Sequence, residues 1–288
     1  MDNEKNKTEK STLYLVGTPI GNLADISERA KKILSEVDFV AAEDTRNTQK
    51  LLTCLGIRNE LVSYHEHNKA SAGERIIARI LEGDSCALVT DAGMPAISDP
   101  GEDLVRLAAN AGVRVSVAPG PSAVVSALAL SALPTAKFTF EGFLPANKSQ
   151  RKKELSALAG EKRTMVFYEA PHKLSATLAD MLEAFGKDRR ISLCRELTKL
   201  NEEVIRTTLG EASERFPEGA ARGEFVLVVE GASEELIKKA NPLLDLTPEE
   251  HVASYEAEGM KRMDAIKAAA KDRGISKSEL YKALLGGE

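Results

Sequence analysis

From Leu13 onward the chain alternates short β-branched runs with amphipathic stretches: TLYLVGTP, SERAKKILSEV, DFVAAED, NTQKLLTCLG, LVSYHE, GERIIARILEG, CALVTDAG, GEDLVRLAANAG and RVSVAPG. The first kind of segment is too short and too rich in Val, Ile and aromatics for a helix, and the second repeats its apolar positions at helical spacing. Five strands separated by four helices predict a mainly parallel, doubly wound α/β sheet over residues 12–120, because parallel neighbours need a crossover between them. After PGPS the pattern changes. An apolar helix (AVVSALALSA) precedes FTFEGFLP, a basic helix, TMVFYEAP, KLSATLADMLEAFG, RISLCREL, EEVIRTTLGEA and EFVLVVEG. Strands now follow one another with fewer helices between, which predicts a second α/β domain with a mixed sheet over residues 121–232. Residues 246–288 are helical in pattern throughout, and residues 1–11 read as a disordered polar tail.

In an open α/β sheet, ligands bind outside the carboxyl ends of the strands. Those ends carry GTPIGN (17–22), AEDTRNT (42–48), YHEHN (64–68), TDAGMPAISDPG (90–101) and APGPSA (118–123), which together make a polar rim. GTPIGN fails the spacing of a dinucleotide fingerprint and lacks the Gly-Lys of a P-loop, so it reads as a tight turn. TDAGMPAISDPG combines prolines, which fix φ, with glycines, which admit close approach. It is shaped to present main-chain groups to a small ligand, with Asp91 and Asp99 left for hydroxyls, amines or helix capping.

Other candidates carry alternatives. His65 and His67 would share one face of a strand and form a possible metal pair, but no third ligand has a recognisable spacing. Glu43, Asp44 and Arg46 suit either a local ion-pair cluster or contacts to ribose and phosphate. In the second domain Glu169, His172, Arg195, Glu196 and Lys199 are the acid, base and anion-binding candidates, against a reading as surface ion pairs.

Composition limits the class of partner. Cys54, Cys86 and Cys194 are widely spaced, which suits a reducing cytosol and gives neither a disulfide framework nor a zinc ribbon. The apolar run from Val124 to Leu133 is too short to span a bilayer, and the first residues lack the apolar region of a secretory signal, so a cytoplasmic protein without a membrane association is expected. A net charge of −5 argues against bulk coating of nucleic acid, yet local patches survive. Residues 147–163 carry six Lys/Arg against two Glu, including Lys148, Arg151, Lys152 and Lys153. Near the end, Ala270, Gly274 and Leu280 have the spacing of two helices joined by a tight turn, with Lys271, Arg273, Lys277 and Lys282 on the polar side.

Taken together, LYLVGTPIGNLADIS, VAAEDTRNTQKLL, SYHEHN, LVTDAGMPAISDPG, PGPSAVVSALALSALPT, FEGFLP, FYEAPHKL, CRELTKLNEE and RGEFVLVVEG resemble the ribosomal RNA small subunit methyltransferase I group of the tetrapyrrole methylase superfamily. The resemblance runs from about Leu13 to Gly231 and includes the helical C-terminal appendage. It implies a homodimeric, two-domain enzyme that binds S-adenosyl-L-methionine between its domains. The implied reaction is methylation of the ribose 2′-oxygen of a cytidine in the decoding region of 16S rRNA. It further implies a cofactor pocket formed by Ala92, Gly93, Pro95, Ile97, Ser122, Ala123, Tyr168, Leu197, Glu224 and Phe225, with Pro19 closing its floor. The superfamily's Gly-Asp-Pro loop corresponds here to Gly93, Met94 and Pro95, so its carboxylate is missing while the main-chain contacts survive.

Methyl transfer to a hydroxyl needs the acceptor oxygen in line with the methyl group and benefits from a base or a cation. Glu169 or Lys199 is expected in that role. Glu43, Asp44, Arg46, His65 and Asn68 are expected to orient the nucleotide, and Arg151, Lys152 and Lys153 to contact RNA. Two other classes stay open: a methyltransferase for a tetrapyrrole or other small molecule, and a non-catalytic RNA-binding module on a cofactor fold.

Overall fold

The computed structural model describes residues 7–233 and 242–285. Its first sheet comprises β1 (Thr12–Val16), β2 (Phe39–Ala42), β3 (Glu60–Ser63), β4 (Cys86–Val89) and β5 (Arg114–Ala118) in the order β3-β2-β4-β1-β5. Every pairing is parallel, with Leu13 opposite Cys86 on one side and Val115 on the other. All five carboxyl ends therefore lie along one edge, as the alternating pattern requires.

Helices α1 (Glu28–Glu36), α2 (Thr45–Cys54), α3 (Lys69–Leu81) and α4 (Gly101–Asn110) supply the crossovers. Ile76 and Ile80 of α3 and Leu104 and Ala108 of α4 pack with Leu13, Phe39 and Leu88 on one face. Ile33 and Leu34 of α1 and Leu52 of α2 pack with Tyr14, Val40 and Val89 on the other. Alternate residues of one strand thus feed opposite cores, which is why the central strands read as continuous apolar runs.

The second sheet holds β6 (Phe138–Phe143), β7 (Thr164–Glu169), β8 (Arg190–Arg195), β9 (Glu203–Thr208) and β10 (Phe225–Val229) in the order β6-β7-β10-β8-β9. β6 and β7 are parallel and the other pairs antiparallel, the mixed sheet that was expected. Around it lie α5 (Ala123–Leu130), α6 (Lys148–Leu158), α7 (Leu174–Phe185) and α8 (Leu209–Arg215). Val124, Ala127 and Leu128 of α5 pack against Val166, Cys194, Val226 and Val228. In α7, Leu174, Leu178, Met181 and Phe185 recur at helical spacing and are all buried.

One compact unit runs to Leu155 and resumes over Thr164–Glu230, so both sheets lie in it; Ser156–Arg163 and the chain from Gly231 form a second. The latter contains α9 (Pro248–Ala257), α10 (Arg262–Asp272) and α11 (Lys277–Leu285) around Val252, Ala265, Ile266, Ala269 and Leu280. Thr247 and Glu250 form a capping box at the start of α9, and Gly274, at φ 65°, makes the turn between α10 and α11. Arg273 corrects the expectation of a polar-face cation. Its Nε donates to Nδ1 of the buried His251 at 3.1 Å, and its guanidinium also donates to the Leu246 carbonyl. Arg273 is a positioning cation inside the helical unit, whereas Lys271, Lys277 and Lys282 are exposed.

Of the expected tail, residues 1–6 lie outside the described residues. The rest is tied down: Thr8 Oγ1 donates to Glu36 at 2.7 Å, the Glu9 amide to the Tyr14 hydroxyl at 2.7 Å, and Lys10 pairs with Asp38. Asp38 also accepts from the Ser85 amide at 2.6 Å and hydroxyl at 2.7 Å, joining the start of β2 to the start of β4. Burial alone would raise its pKa, but the bonds from Lys10 and Ser85 outweigh it and lower the value from 3.8 to about 2. A depressed folded-state pKa contributes stability that is complete above the ordinary value and lost as pH falls toward the depressed one. The melting temperature of Asp38→Asn is therefore expected to fall below wild type near neutrality, and the gap to close as pH drops from 3.8 to about 2. Calorimetric scans across that range check it; a constant gap would contradict the assignment.

Candidate active site

The rim of the first sheet faces a cavity of about 510 Å³, a size typical of small-molecule sites. Ile20 enters from the loop after β1, Glu43 from just beyond β2, Thr90, Ala92 to Met94 and Ile97 to Asp99 from the loop after β4, and Ser122 and Ala123 from the start of α5. The opposite wall comes from the second sheet: Phe143, Tyr168 to His172, Cys194, Leu197, Lys199 and Glu224 to Val226.

On the first-sheet side the strand-end loops pack closely against one another. A Cβ on Gly17 would lie 2.7 Å from Gly120 Cα and 2.8 Å from Met94 Sδ, and one on Gly120 would lie 2.8 Å from Gly17 Cα. The loops after β1 and β5 therefore touch backbone to backbone, which only glycine permits at both positions. Thr18 and Gly93 exchange amide–carbonyl bonds of 2.9 and 3.1 Å, fastening the loop after β1 to that after β4. The Met94 sulfur accepts from the Gly120 amide at 3.3 Å.

The loop after Met94 is conformationally strained. Ala96 and Ser98 have φ of 67° and 65°, rare for residues with a Cβ. Asp99 Oδ1 holds the shape by accepting from the amides of Ala96 at 3.0 Å and Gly101 at 2.7 Å, while its buried Oδ2 has no hydrogen-bond partner among the described residues. Across the cavity, Glu196 and Thr198 are strained in the same way, with φ of 50° and 65°. Their loop packs against Gly21, where a Cβ would come within 2.5 Å of Lys199.

Lys199 is clasped by Glu196 at 2.9 Å and Glu224 at 2.8 Å. Desolvation pulls its pKa down, but the two carboxylates outweigh that and the net shift is upward. It is a fixed cation on the cavity wall. Glu169 is buried and spends both oxygens, one on the Ala170 amide at 2.8 Å and the other on the Thr177 hydroxyl at 2.5 Å. That arrangement ties the end of β7 to α7.

The cavity gathers Ala92, Gly93, Ile97, Ser122, Ala123, Tyr168, Leu197, Glu224 and Phe225, together with Glu169, Lys199, Glu43 and His172. Pro19 and Pro95 do not line it; the adjacent Ile20 and Met94 do. Asp44 caps α2 through the Arg46 amide at 2.8 Å and holds the Arg46 guanidinium at 2.8 Å, so this pair is a local ion-pair cluster. Asn68 closes a turn, accepting from the His65 amide at 2.8 Å and donating to the Ser63 carbonyl at 3.1 Å. The rings of His65 and His67 meet edge-on at 5.9 Å, and no group of three metal-ligating side chains gathers among the described residues.

Arg151 overturns the reading of the basic helix as one charged face. It is buried against Asp180, at 2.7 and 2.8 Å, and also donates to the carbonyls of Pro145 and Ala146. Lys152 pairs with Glu183, and Lys148 and Lys153 are exposed. Arg195 donates to the Arg222 carbonyl at 2.6 Å and does not line the cavity. Among the lining residues that the sequence reading passed over, Phe143 is the most exposed large apolar one. An aromatic directly after glycine at a strand's carboxyl end, in FEGFLP, is the signal that marks it.

Two sheets meeting over a cavity built from strand-end loops are an arrangement that solved structures of the same fold share. A cobalt-precorrin-4 methyltransferase structure superposes with a TM-score of 0.57 at 17% identity, covering 80% of this chain and 97% of that one. A uroporphyrin-III C-methyltransferase from Thermus thermophilus gives 0.54 at 22% identity, covering 76% and 94%. At such identities the likeness is one of fold. The family model for tetrapyrrole (corrin/porphyrin) methylases matches residues 12–213. Proteins named ribosomal RNA small subunit methyltransferase I match nearly end to end. The one from Halalkalibacterium halodurans is 49% identical over 96% of each chain, and that of Bacillus subtilis is 47% identical over 96% of this chain and 95% of its own. That of Escherichia coli O157:H7 is 44% identical over 95% and 94%. The chain belongs to the tetrapyrrole methylase family, within its ribosomal RNA small subunit methyltransferase I group.

Proposed function

We propose that the protein is an S-adenosyl-L-methionine-dependent methyltransferase that modifies the ribose 2′-oxygen of a cytidine in the decoding region of 16S rRNA. The observation that carries this reading is the match, 49% and 47% identical over 96% of this chain, with proteins bearing the small-subunit rRNA methyltransferase name. The cavity supports it chemically. Asp99 Oδ2 is a buried acceptor without a partner on a residue that lines the cavity, and S-adenosylmethionine offers ammonium, hydroxyl and amino donors to such a group. Gly93, Met94 and the apolar wall of Ile97, Tyr168, Leu197 and Phe225 suit its nucleoside and amino-acid ends.

When bound, the cofactor supplies an electrophilic methyl group. Gly93, Ser122, Ala123 and the apolar wall would hold it in place. Lys199, kept charged by its two carboxylates, stabilises negative charge growing on the acceptor oxygen. Glu169 orients the start of α7 through the Thr177 hydroxyl. Exposed Lys148 and Lys153, and the lysines of α10 and α11, are cations available to RNA phosphates. We further propose that the enzyme works as a homodimer in the cytoplasm; among the described residues no helix is long and apolar enough to cross a membrane.

Mass mapping of 2′-O-methylated nucleotides in small-subunit rRNA from cells with and without the protein tests the reading. Loss of one cytidine methylation in the depleted cells is expected. An unchanged map, with labelled methyl transfer to a small acceptor instead, would overturn it.

A further inference from the structure

We propose that Phe143 is the stacking platform for the base of the acceptor nucleotide. The inference rests on the reading of the protein as an RNA methyltransferase and names the part of the site that grips the substrate. β6 is an edge strand, and its register against β7 shifts between Phe140 and Gly142. Such a bulge re-aims the side chains beyond it. Gly142, at φ 68°, lies so close to the loop after β4 that a Cβ on it would stand 3.3 Å from Ser98 Oγ. The bulge therefore brings the end of β6 against the strained loop, and both segments contribute an exposed apolar residue to the cavity: Phe143 at 60% and Ile97 at 54%.

Neither exposure serves packing. Ile97 stands between Ala96 and Ser98, two non-glycine residues with positive φ. Strain of this kind persists where the surroundings enforce it, characteristically at ligand sites. Phe143 rests against the inward-lying Tyr168 at 5.4 Å between ring centroids, and Tyr168 meets Phe140 edge-on at 5.0 Å. The aromatic row thus runs from the half-buried core of the second sheet to a ring open to solvent. A small cofactor is enclosed by the inner part of such a row, whereas a group carried by a macromolecule must arrive at the outer end. A ribose hydroxyl reaches a recessed centre when its nucleotide leaves the helical stack, and the unstacked base then needs another π-surface. Phe143 provides one. Stacking on an aromatic side chain is sequence-tolerant and strong enough that its removal lowers binding by roughly ten- to a hundredfold.

The test uses the full-length protein, with small ribosomal subunits from cells lacking it as methyl acceptor, and the variants Phe143→Ala, Phe143→Leu and Phe143→Trp. The expected result is a roughly ten- to hundredfold loss of kcat/KM for Ala and Leu, expressed mainly in KM. Trp should restore near-wild-type values, and calorimetric affinity for S-adenosylmethionine should be unchanged in all three. Full activity in Phe143→Ala, rescue by Leu as good as by Trp, or a loss that tracks cofactor affinity would each overturn the assignment. If wild-type protein itself transfers no methyl group to subunits, the functional reading fails. Wild-type transfer alongside an unimpaired Phe143→Ala variant sinks the stacking role alone.

Discussion

Replacing Arg151 with methionine is expected to destabilise the protein by about 3–5 kcal/mol, the cost of leaving a buried charge without its partner. The stranded group is Asp180, buried in α7 and bonded through Oδ2 to the guanidinium at 2.7 and 2.8 Å. Lys152 cannot take over, because its Nζ is 4.0 Å from Asp180 and already engaged by Glu183. The same substitution also frees the carbonyls of Pro145 and Ala146, which receive Arg151 at 3.3 and 3.2 Å. Urea denaturation measures the effect. The double variant Arg151→Met, Asp180→Leu is expected to recover much of the loss, since apolar residues of similar size often replace a buried pair without penalty. Equal stability of the wild type and Arg151→Met would mean that the side chain is solvated after all.

Lys199→Met is expected to lower the single-turnover methylation rate by about 10²–10³-fold, the usual consequence of removing one donor to a developing oxyanion. Affinity for S-adenosylmethionine should hardly change, because the first-sheet floor is untouched. The raised pKa of Lys199 fixes the sign of the pH dependence. Its charge persists through the neutral range, so the rate should show no alkaline loss there. Glu169→Gln, by contrast, preserves an acceptor for Thr177 and should have a smaller effect on rate than Lys199→Met. Unchanged rates in both variants would remove this pair from the chemistry.

These two positions show where sequence is informative. The ten strands were legible because each is a compact β-branched or aromatic run between turn residues, and the first sheet's parallel order followed from its interposed helices. That β10 sits between β7 and β8 was not, since pairing joins residues far apart, such as Phe225 with Glu169 on one side and Arg195 on the other. The loop after β4 announced itself through its prolines and glycines. Arg151 was indistinguishable in sequence from Lys152 and Lys153, because what separates them is a partner 29 residues away on another helix. Arg273 was misread for the same reason, its partner His251 lying 22 residues back. Pro19 and Pro95 lie one position from the lining residues Ile20 and Met94, and line-up along a motif does not say which side chain turns toward a cavity.

The contact of Gly17 with Gly120 restricts how this site can diversify. Peptide atoms cannot be exchanged by point mutation, and the first bulky residue at either glycine would force two strand ends apart. That backbone contact is thus closed to evolutionary tinkering. New acceptor preferences are written in lining side chains, with Phe143, Tyr168, Leu197 and Lys199 on the opposite wall. Directed evolution toward a different substrate should therefore concentrate its libraries there.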